Sequence, residues 1–502
     1  MTSAVLQLRE RLAGLEDLRV ASGLLHWDQQ TMMPPTGGPQ HAEALGTLEQ
    51  LSHERFIDAE TGRLLHSAAA EVDGAAPESD DACLVRLVRR RWEKATRVPT
   101  ELAAEMARAG SAGQEAWVAA RRDSDFAAFA PYLEHNLELA RRYVDCFDDF
   151  ECPYDALLDD YQPEMKTTDV AALFAALKAE LVPLIAKLSQ YTMDDSSLHG
   201  HFPVESQRKL AQEVVRLMGF DGRGWRMDDT VHPFATSFGS SDVRITTRWD
   251  ETYLGTGLFG AMHECGHGLY EAGIAPALQR TPLGHGQSLG VHESQSRLWE
   301  NMVGRGRDFS EVLAPLIATI FGGELANLDP LTLFRAVNRI RPSLIRVEAD
   351  EATYSLHIIL RFELEQELIE GRLAVRDLPE AWNARIEEYL GLTVPDDRRG
   401  VLQDVHWSAG LIGYFSTYAL GNMIAGQLWW KVRADLPDLS QQISAGRLDG
   451  LREWLVENVH RYGSKFTTAE LLERAVGGPI ETGPFVSYLK GKLSDVYEIP
   501  LS

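Results

Sequence analysis

Apolar residues recur at helical spacing almost from one end of the chain to the other, and this rhythm most constrains what it can fold into. The first run, over 4–30, stops at "PPTGG", Pro34 to Gly38, where prolines and glycines end a helix. Further helices are predicted at about 38–70, 81–95, 98–121, 126–149, 168–191 and 205–218. The breaks between them, such as "DGAAPESDD" and "TMDDSSLHG", are short and polar, as turns inside one compact unit are. Length leaves the domain count open at 502 residues, and these breaks favour a single, mainly α domain over 1–502.

Two segments depart from the rhythm. In "HPFATSFGSSDVRITTRW" the run Asp242 to Thr247 alternates polar and β-branched residues, and Gly239-Ser240-Ser241 can turn the chain back on "FATSF". A β-hairpin is expected there. Its edge could accept an extended peptide, although a hairpin is more often a structural connection. The second segment, Val405 to Trp430, has no Asp, Glu, Lys or Arg and is long enough to cross a bilayer. Ser408, Ser416, Thr417, Asn422 and Gln427 are spread along it and His406 opens it, so a helix buried in a large core is expected instead.

Charge and cysteine content narrow the class further. With 74 Asp plus Glu against 49 Lys plus Arg, the net charge of -25 argues against a nucleic-acid backbone or an anionic membrane as partner, without excluding a local basic patch. The cysteines, Cys83, Cys146, Cys152 and Cys265, have no ligand-like spacing, as free thiols in a reducing compartment would. Charges run through the first twenty residues, so no secretory signal is visible and a cytoplasmic location is expected.

The chemistry is concentrated in "AMHECGHGLYE", Ala261 to Glu271. A helix is predicted over about 253–270, with Leu258, Met262, Cys265 and Leu269 as its apolar stripe. Residues four apart on a helix lie about 6 Å along the axis and about 40° around it, so His263 and His267 can chelate one metal. Glu264, beside them, points off the metal axis and can take a proton from a bound water. Chance alone would produce this pattern in roughly a few of every hundred such chains, so the motif needs a third ligand to mean more. Tyr270 stands where the longer three-histidine pattern has glycine, which turns the search to a carboxylate on another element. A helix over "GVHESQSRLWENMVGR", Gly290 to Arg305, offers Glu293 and Glu300, and Glu271 is a third candidate. Spacing favours Glu293 but leaves Glu300 open.

Several stretches, in order and with each motif intact, resemble the signature segments of the carboxypeptidase Taq family: "SDVRITTRW", "AMHECGHGLYE", "GVHESQSRLWEN", "IRVEADEATYSLHIILRFELE" and "GVLQDVHWSAGLIGYF". The N-terminal "GLLHWDQQTMMPPTGG" is similar to that family's first helix. The resemblance implies a large helical metallopeptidase, neurolysin-like, with two lobes around an active-site groove and a small hairpin or sheet near the metal. It also implies a zinc-dependent removal of single residues from peptide C-termini, one Zn2+ per chain with Co2+ or another divalent metal as substitute, peptide substrates and a homodimer. His263 and His267 then match two metal ligands, Glu293 the third, and Glu264 the general base.

Other roles are expectations. An oxyanion needs donors, and His406 and Tyr414 resemble residues that related zinc peptidases hold near it, although a tyrosine in an apolar helix is more often core. Tyr418 lies close in sequence and is a substrate-side candidate. A terminal carboxylate suits a guanidinium, and Arg346 and Arg244 lie in signature segments. Either could instead be half of an ion pair, Arg346 for instance with Asp350. His292 is expected behind the ligands or facing substrate, His285 on a mobile loop, His357 and Cys265 in the core, and Gln403 and Asp404 as orienting groups for His406 or a metal-bound histidine. The competing readings are an oligopeptidase or dipeptidyl carboxypeptidase, and a non-catalytic zinc-binding protein, in which Glu264 would have no use.

Overall fold

The structure is a computed structural model and describes residues 3–501. The expected helices form at Ala4–Thr31, Asp80–Arg97, Thr100–Asp123, Thr167–Leu188 and Val204–Met218. The stretch read as one helix over 38–70 is two, Gly38–Ile57 and Ala59–Glu71, because the Asp58 side chain accepts from the Thr61 N–H and starts a new helix. The helix read to 149 ends at Val144, and a short one at Pro153–Leu158 follows.

The hairpin is present as β2 (Ala235–Ser237) and β3 (Val243–Thr247), antiparallel with Ala235 opposite Ile245. An unforeseen strand, β1 (Trp225–Asp229), pairs parallel to β3 and makes the order β1-β3-β2. Its sequence, "WRMDD", lacks the β-branched residues that betray a strand. Fully buried Val243 and Ile245 of β3 face the helix that carries the two histidines, Gly255–Gly273, here the motif helix. Gly268 makes that contact possible, since a Cβ there would stand 2.5 Å from the Trp225 ring and 2.8 Å from Val243.

The charge-free segment is helical only from Ser416 to Asp435, with a short 3-10 turn at His406–Ala409 before it. Tyr414 therefore sits in the loop ahead of the helix and not within it. The helix buries Ala419, Leu420, Met423, Ile424 and Leu428 completely or nearly so, and Asn422 donates to the Ser355 hydroxyl. Among the described residues no helix is long and apolar enough to cross a membrane.

A main core runs through the middle and C-terminal helices, while Leu8, Leu12, Leu65, Leu84 and Val88 of the N-terminal helices form a second core with Ile274, Leu278 and Leu283. Ion pairs join the N-terminal helices to the C-terminal part of the chain, Lys465 to Asp80 at 2.7 Å and Arg474 to Glu78 at 2.8 Å.

Two glycines set how closely the functional helices approach. The motif helix meets the helix Leu289–Arg297 at Gly266, where a Cβ would be 2.7 Å from the Ser296 Cα. The helix Ser416–Asp435 crosses the other side at Gly421, where a Cβ would be 2.6 Å from the Glu293 Cγ. Gly421→Ala is thus expected to displace Glu293, destabilising the fold by about 1–3 kcal/mol and weakening metal binding together with it. Thermal melting and a metal titration check this, and a variant with normal metal affinity would contradict it.

Candidate active site

On the motif helix His263 and His267 project from one face, their rings 4.9 Å apart. Glu293 approaches from the next helix, so that its Oε2 lies 3.6 Å from His263 Nε2 and 3.4 Å from His267 Nε2. These three residues offer donor atoms that all lie within 4.8 Å of one another. Two ligands each about 2.1 Å from a tetrahedral ion stand about 3.4 Å apart, so the observed spacings fit a zinc-sized cation. Two imidazoles and one carboxylate are also the donor set of a site that keeps a position open for water.

Each residue of this cluster is oriented by a partner behind it. His263 donates its Nδ1–H to Glu300 Oε2 at 2.9 Å, which leaves the Nε2 lone pair facing Glu293. His267 Nδ1 lies 2.6 Å from His292 Nδ1, and His292 Nε2 lies 2.9 Å from Glu271 Oε1. Because the Glu271 carboxylate can only accept, His292 gives it a proton at Nε2 and receives one from His267 at Nδ1, which again frees Nε2 of the ligand. Glu293 Oε1 accepts from Arg297 Nε at 2.6 Å and its Oε2 from the Ser296 hydroxyl at 3.1 Å.

These contacts set the charges. Burial would raise the Glu293 carboxyl, but Arg297 and the two histidines outweigh it and hold the group far below the usual carboxylate range. Burial takes His267 down to about 4, so it stays neutral, as a ligand must. Burial also opposes charge on His263, yet Glu293, Glu300 and Glu264 reverse the effect and raise its pKa, a field that equally favours a cation at Nε2. Glu264 is 7% exposed and makes no hydrogen bond or ion pair among the described residues. Burial lifts it to about 7, with His263 opposing and Glu293 and Glu300 adding to the shift.

A second cluster stands beside the first. Arg346 gives its Nε and Nη2 to Asp404 Oδ1, at 3.0 and 2.8 Å, and its Nη1 to the Tyr354 hydroxyl at 3.0 Å. Asp404 also accepts from Arg361 Nε at 2.7 Å, so it anchors two arginines and does not orient His406. Asp350, the expected partner of Arg346, instead caps the helix Glu351–Ile369 by accepting from Ala352 and Thr353. His406 Nε2 lies 3.4 Å from the Tyr418 hydroxyl, its ring 5.2 Å from that of Tyr414. Burial brings His406 to about 4, with Asp404 opposing the shift and Arg346 and Arg361 adding to it. Burial raises the pKa of both Tyr414 and Tyr418, and Glu293 adds a smaller push to each, which puts these tyrosines within its field. Arg244 lies apart from this cluster: it pairs with Asp242 through Nε and Nη2, both at 3.0 Å, and stacks on Trp27. His285 bonds Glu16 at 2.7 Å, while His357 and Cys265 are fully buried.

The sequence reading missed Arg297, Tyr354 and the two packing glycines. Arg297, four residues after Glu293, carried a signal in its i,i+4 spacing; Tyr354 carried none.

A family model described as "Carboxypeptidase Taq (M32) metallopeptidase" matches residues 7–493, so the chain belongs to that family of metallocarboxypeptidases. Thermostable carboxypeptidase 1 of Thermus thermophilus is 40% identical over 487 residues, covering 94% of this chain and 95% of the relative. Carboxypeptidase 1 of Bacillus subtilis is 37% identical over 482 residues, covering 95% of each. The crystal structure of the M32 carboxypeptidase from Deinococcus radiodurans R1, 40% identical, superposes with a TM-score of 0.96 over 99% of this chain and 100% of that one. A metallopeptidase of this kind works with a divalent metal, and the cluster of His263, His267 and Glu293 fits one.

The partners behind the ligands give a direct expectation. Glu300→Gln and His292→Ala should each lower metal affinity by about 10–100-fold while leaving the helices folded. Competition with a chelator measures it, and unchanged affinity in both would contradict the aiming role.

Proposed function

We propose that this chain is a zinc-dependent carboxypeptidase that releases one amino acid at a time from peptide C-termini. In this reading His263, His267 and Glu293 hold the metal and Glu264 is the general base. The observation that carries it is the Glu264 carboxylate, buried and unpartnered beside a three-donor cluster. A purely structural zinc site fills its fourth position with protein and has no use for such a group.

Held by His263, His267 and Glu293, a zinc ion would supply a Lewis acid for the scissile carbonyl and an acidified water of pKa about 7. Glu264, buried and without a hydrogen-bond partner among the described residues, would accept that water's proton and deliver it to the departing amine. His406, neutral at pH 7, and the Tyr414 hydroxyl donate to the carbonyl oxygen as charge builds on it. Tyr418 steadies His406 and forms part of the wall that receives the substrate.

The terminal carboxylate goes to Arg346. Asp404 answers two guanidinium charges with one carboxylate, so the cluster carries surplus positive charge next to Tyr418. Of the five N–H groups of Arg346, Asp404 and Tyr354 take three, which leaves two for substrate. Arg244, turned toward Asp242 and Trp27, is the weaker candidate. The reading treats 1–502 as one catalytic domain, supported by the ion pairs between the N-terminal helices and the C-terminal part of the chain. It includes a cytoplasmic homodimer, for which the free cysteines and the family resemblance speak.

Glu264→Gln should keep its metal and lose about 10²–10⁴-fold in the release of C-terminal residues. Retained activity would remove Glu264 as the base. Glu293→Ala should lose the metal, and full occupancy in that variant would move the third ligand elsewhere. Amidating the substrate C-terminus should stop cleavage by the wild type, whereas an oligopeptidase would still cut.

A further inference from the structure

A groove of about 480 Å³ lies between the helix Asp80–Arg97 and the segment 286–289, bordering the site at His292. Two groups in its wall belong to the site: His292, bonded to His267, and Tyr161, whose ring meets Tyr414 edge-on at 5.1 Å. If the enzyme removes single C-terminal residues, only one residue lies beyond the cut bond, so a groove of this size takes the chain on the N-terminal side.

In a protein of net charge -25, five cationic side chains line this groove against three carboxylates. Four of the five cations are answered. Arg86 pairs with Glu470 at 3.2 Å, Lys94 with Asp159 at 2.8 Å and Lys465 with Asp80 at 2.7 Å, and Arg90 also pairs with Asp159. Arg91 is the exception: it is exposed to the groove and makes no hydrogen bond or ion pair among the described residues. Glu16 acts on it only through space, being bonded already to His285 at 2.7 Å and to Arg19 at 2.9 Å. Crowding by the groove walls works against the Arg91 charge and lowers its pKa, so the cation is held there without an answering anion.

We propose that Arg91 is a specificity-determining residue: it pairs with a carboxylate side chain of the bound peptide, upstream of the scissile bond, and selects peptides with Asp or Glu at that position. The proposal rests on the carboxypeptidase reading. A guanidinium with free N–H groups can hold such a carboxylate through two parallel bonds. A merely solvated surface arginine would show no positional preference.

The test uses peptides of one length and one C-terminal residue, with a single Glu moved through successive upstream positions and a Gln counterpart at each. At one position Glu should lower KM about five-fold relative to Gln with kcat unchanged, and salt should shrink the difference. Arg91→Gln should abolish the preference, Arg91→Lys retain most of it, and Arg91→Glu turn it toward Lys. Equal KM for Glu and Gln at every position, or an unaltered preference in Arg91→Gln, overturns the proposal. The same peptides, labelled and bound to metal-loaded Glu264→Gln protein with and without Arg91→Gln, give the preference as a ratio of Kd. Binding preference without any cleavage by the wild type would sink the carboxypeptidase reading and leave Arg91 in its role.

Discussion

Glu293 is 5% exposed, and a buried carboxylate costs several kcal/mol unless its charge is answered. Here the answer is divided between its two oxygens. Arg297 takes Oε1, while Oε2 accepts from the Ser296 hydroxyl and faces the Nε2 atoms of His263 and His267. Two imidazole nitrogens at 3.4 and 3.6 Å from one carboxylate oxygen are spaced for a divalent cation among them, and such an ion would tie the two helices together. Gly266 and Gly421 are the backbone side of the same constraint, because any larger residue would hold the helices too far apart to bring Glu293 to the histidines.

The partners behind the ligands extend this logic through the fold. Glu300 fixes the tautomer of His263 from the wide π-helical turn Leu298–Gly304, and Glu271 fixes that of His267 through His292. Glu271 also accepts from the Gly286 N–H and the Ser237 hydroxyl, which links β2, the loop 284–288 and the metal ligands in one network. The Arg346–Asp404–Arg361 cluster and the lone Arg91 are two further places where positive charge exceeds what nearby carboxylates answer. They lie on either side of the tyrosine cluster, Arg346 against Tyr418 and the Arg91 groove against Tyr161.

Much of this was legible in the sequence because helices announce themselves by local periodicity. His263, Glu264 and His267 lie within five consecutive residues of one helix, and the hairpin Ala235–Thr247 has its turn residues in the chain between its strands. Contacts between elements distant in sequence were not legible. Spacing favoured Glu293 without excluding Glu300, since both could share a face; only the crossing of the helices decides which oxygen meets Nε2 and which meets Nδ1. Asp404 lies 58 residues from Arg346, so the nearer Asp350 looked the better partner until its role as a cap was visible. β1 was hidden because its pairing with β3 is parallel and three of its five residues are charged.

The central claim is that one divalent metal sits among two histidines and Glu293, with Glu264 left free to move protons. X-ray diffraction from crystals of the catalytically active protein at the zinc absorption edge addresses it directly. The account requires one anomalous peak per chain, about 2 Å from His263 Nε2, His267 Nε2 and a Glu293 oxygen, with the Glu264 carboxylate near but not bound to it. A peak bound by Glu300 or Glu264 in place of Glu293, or full activity with no metal peak among these residues, would contradict it.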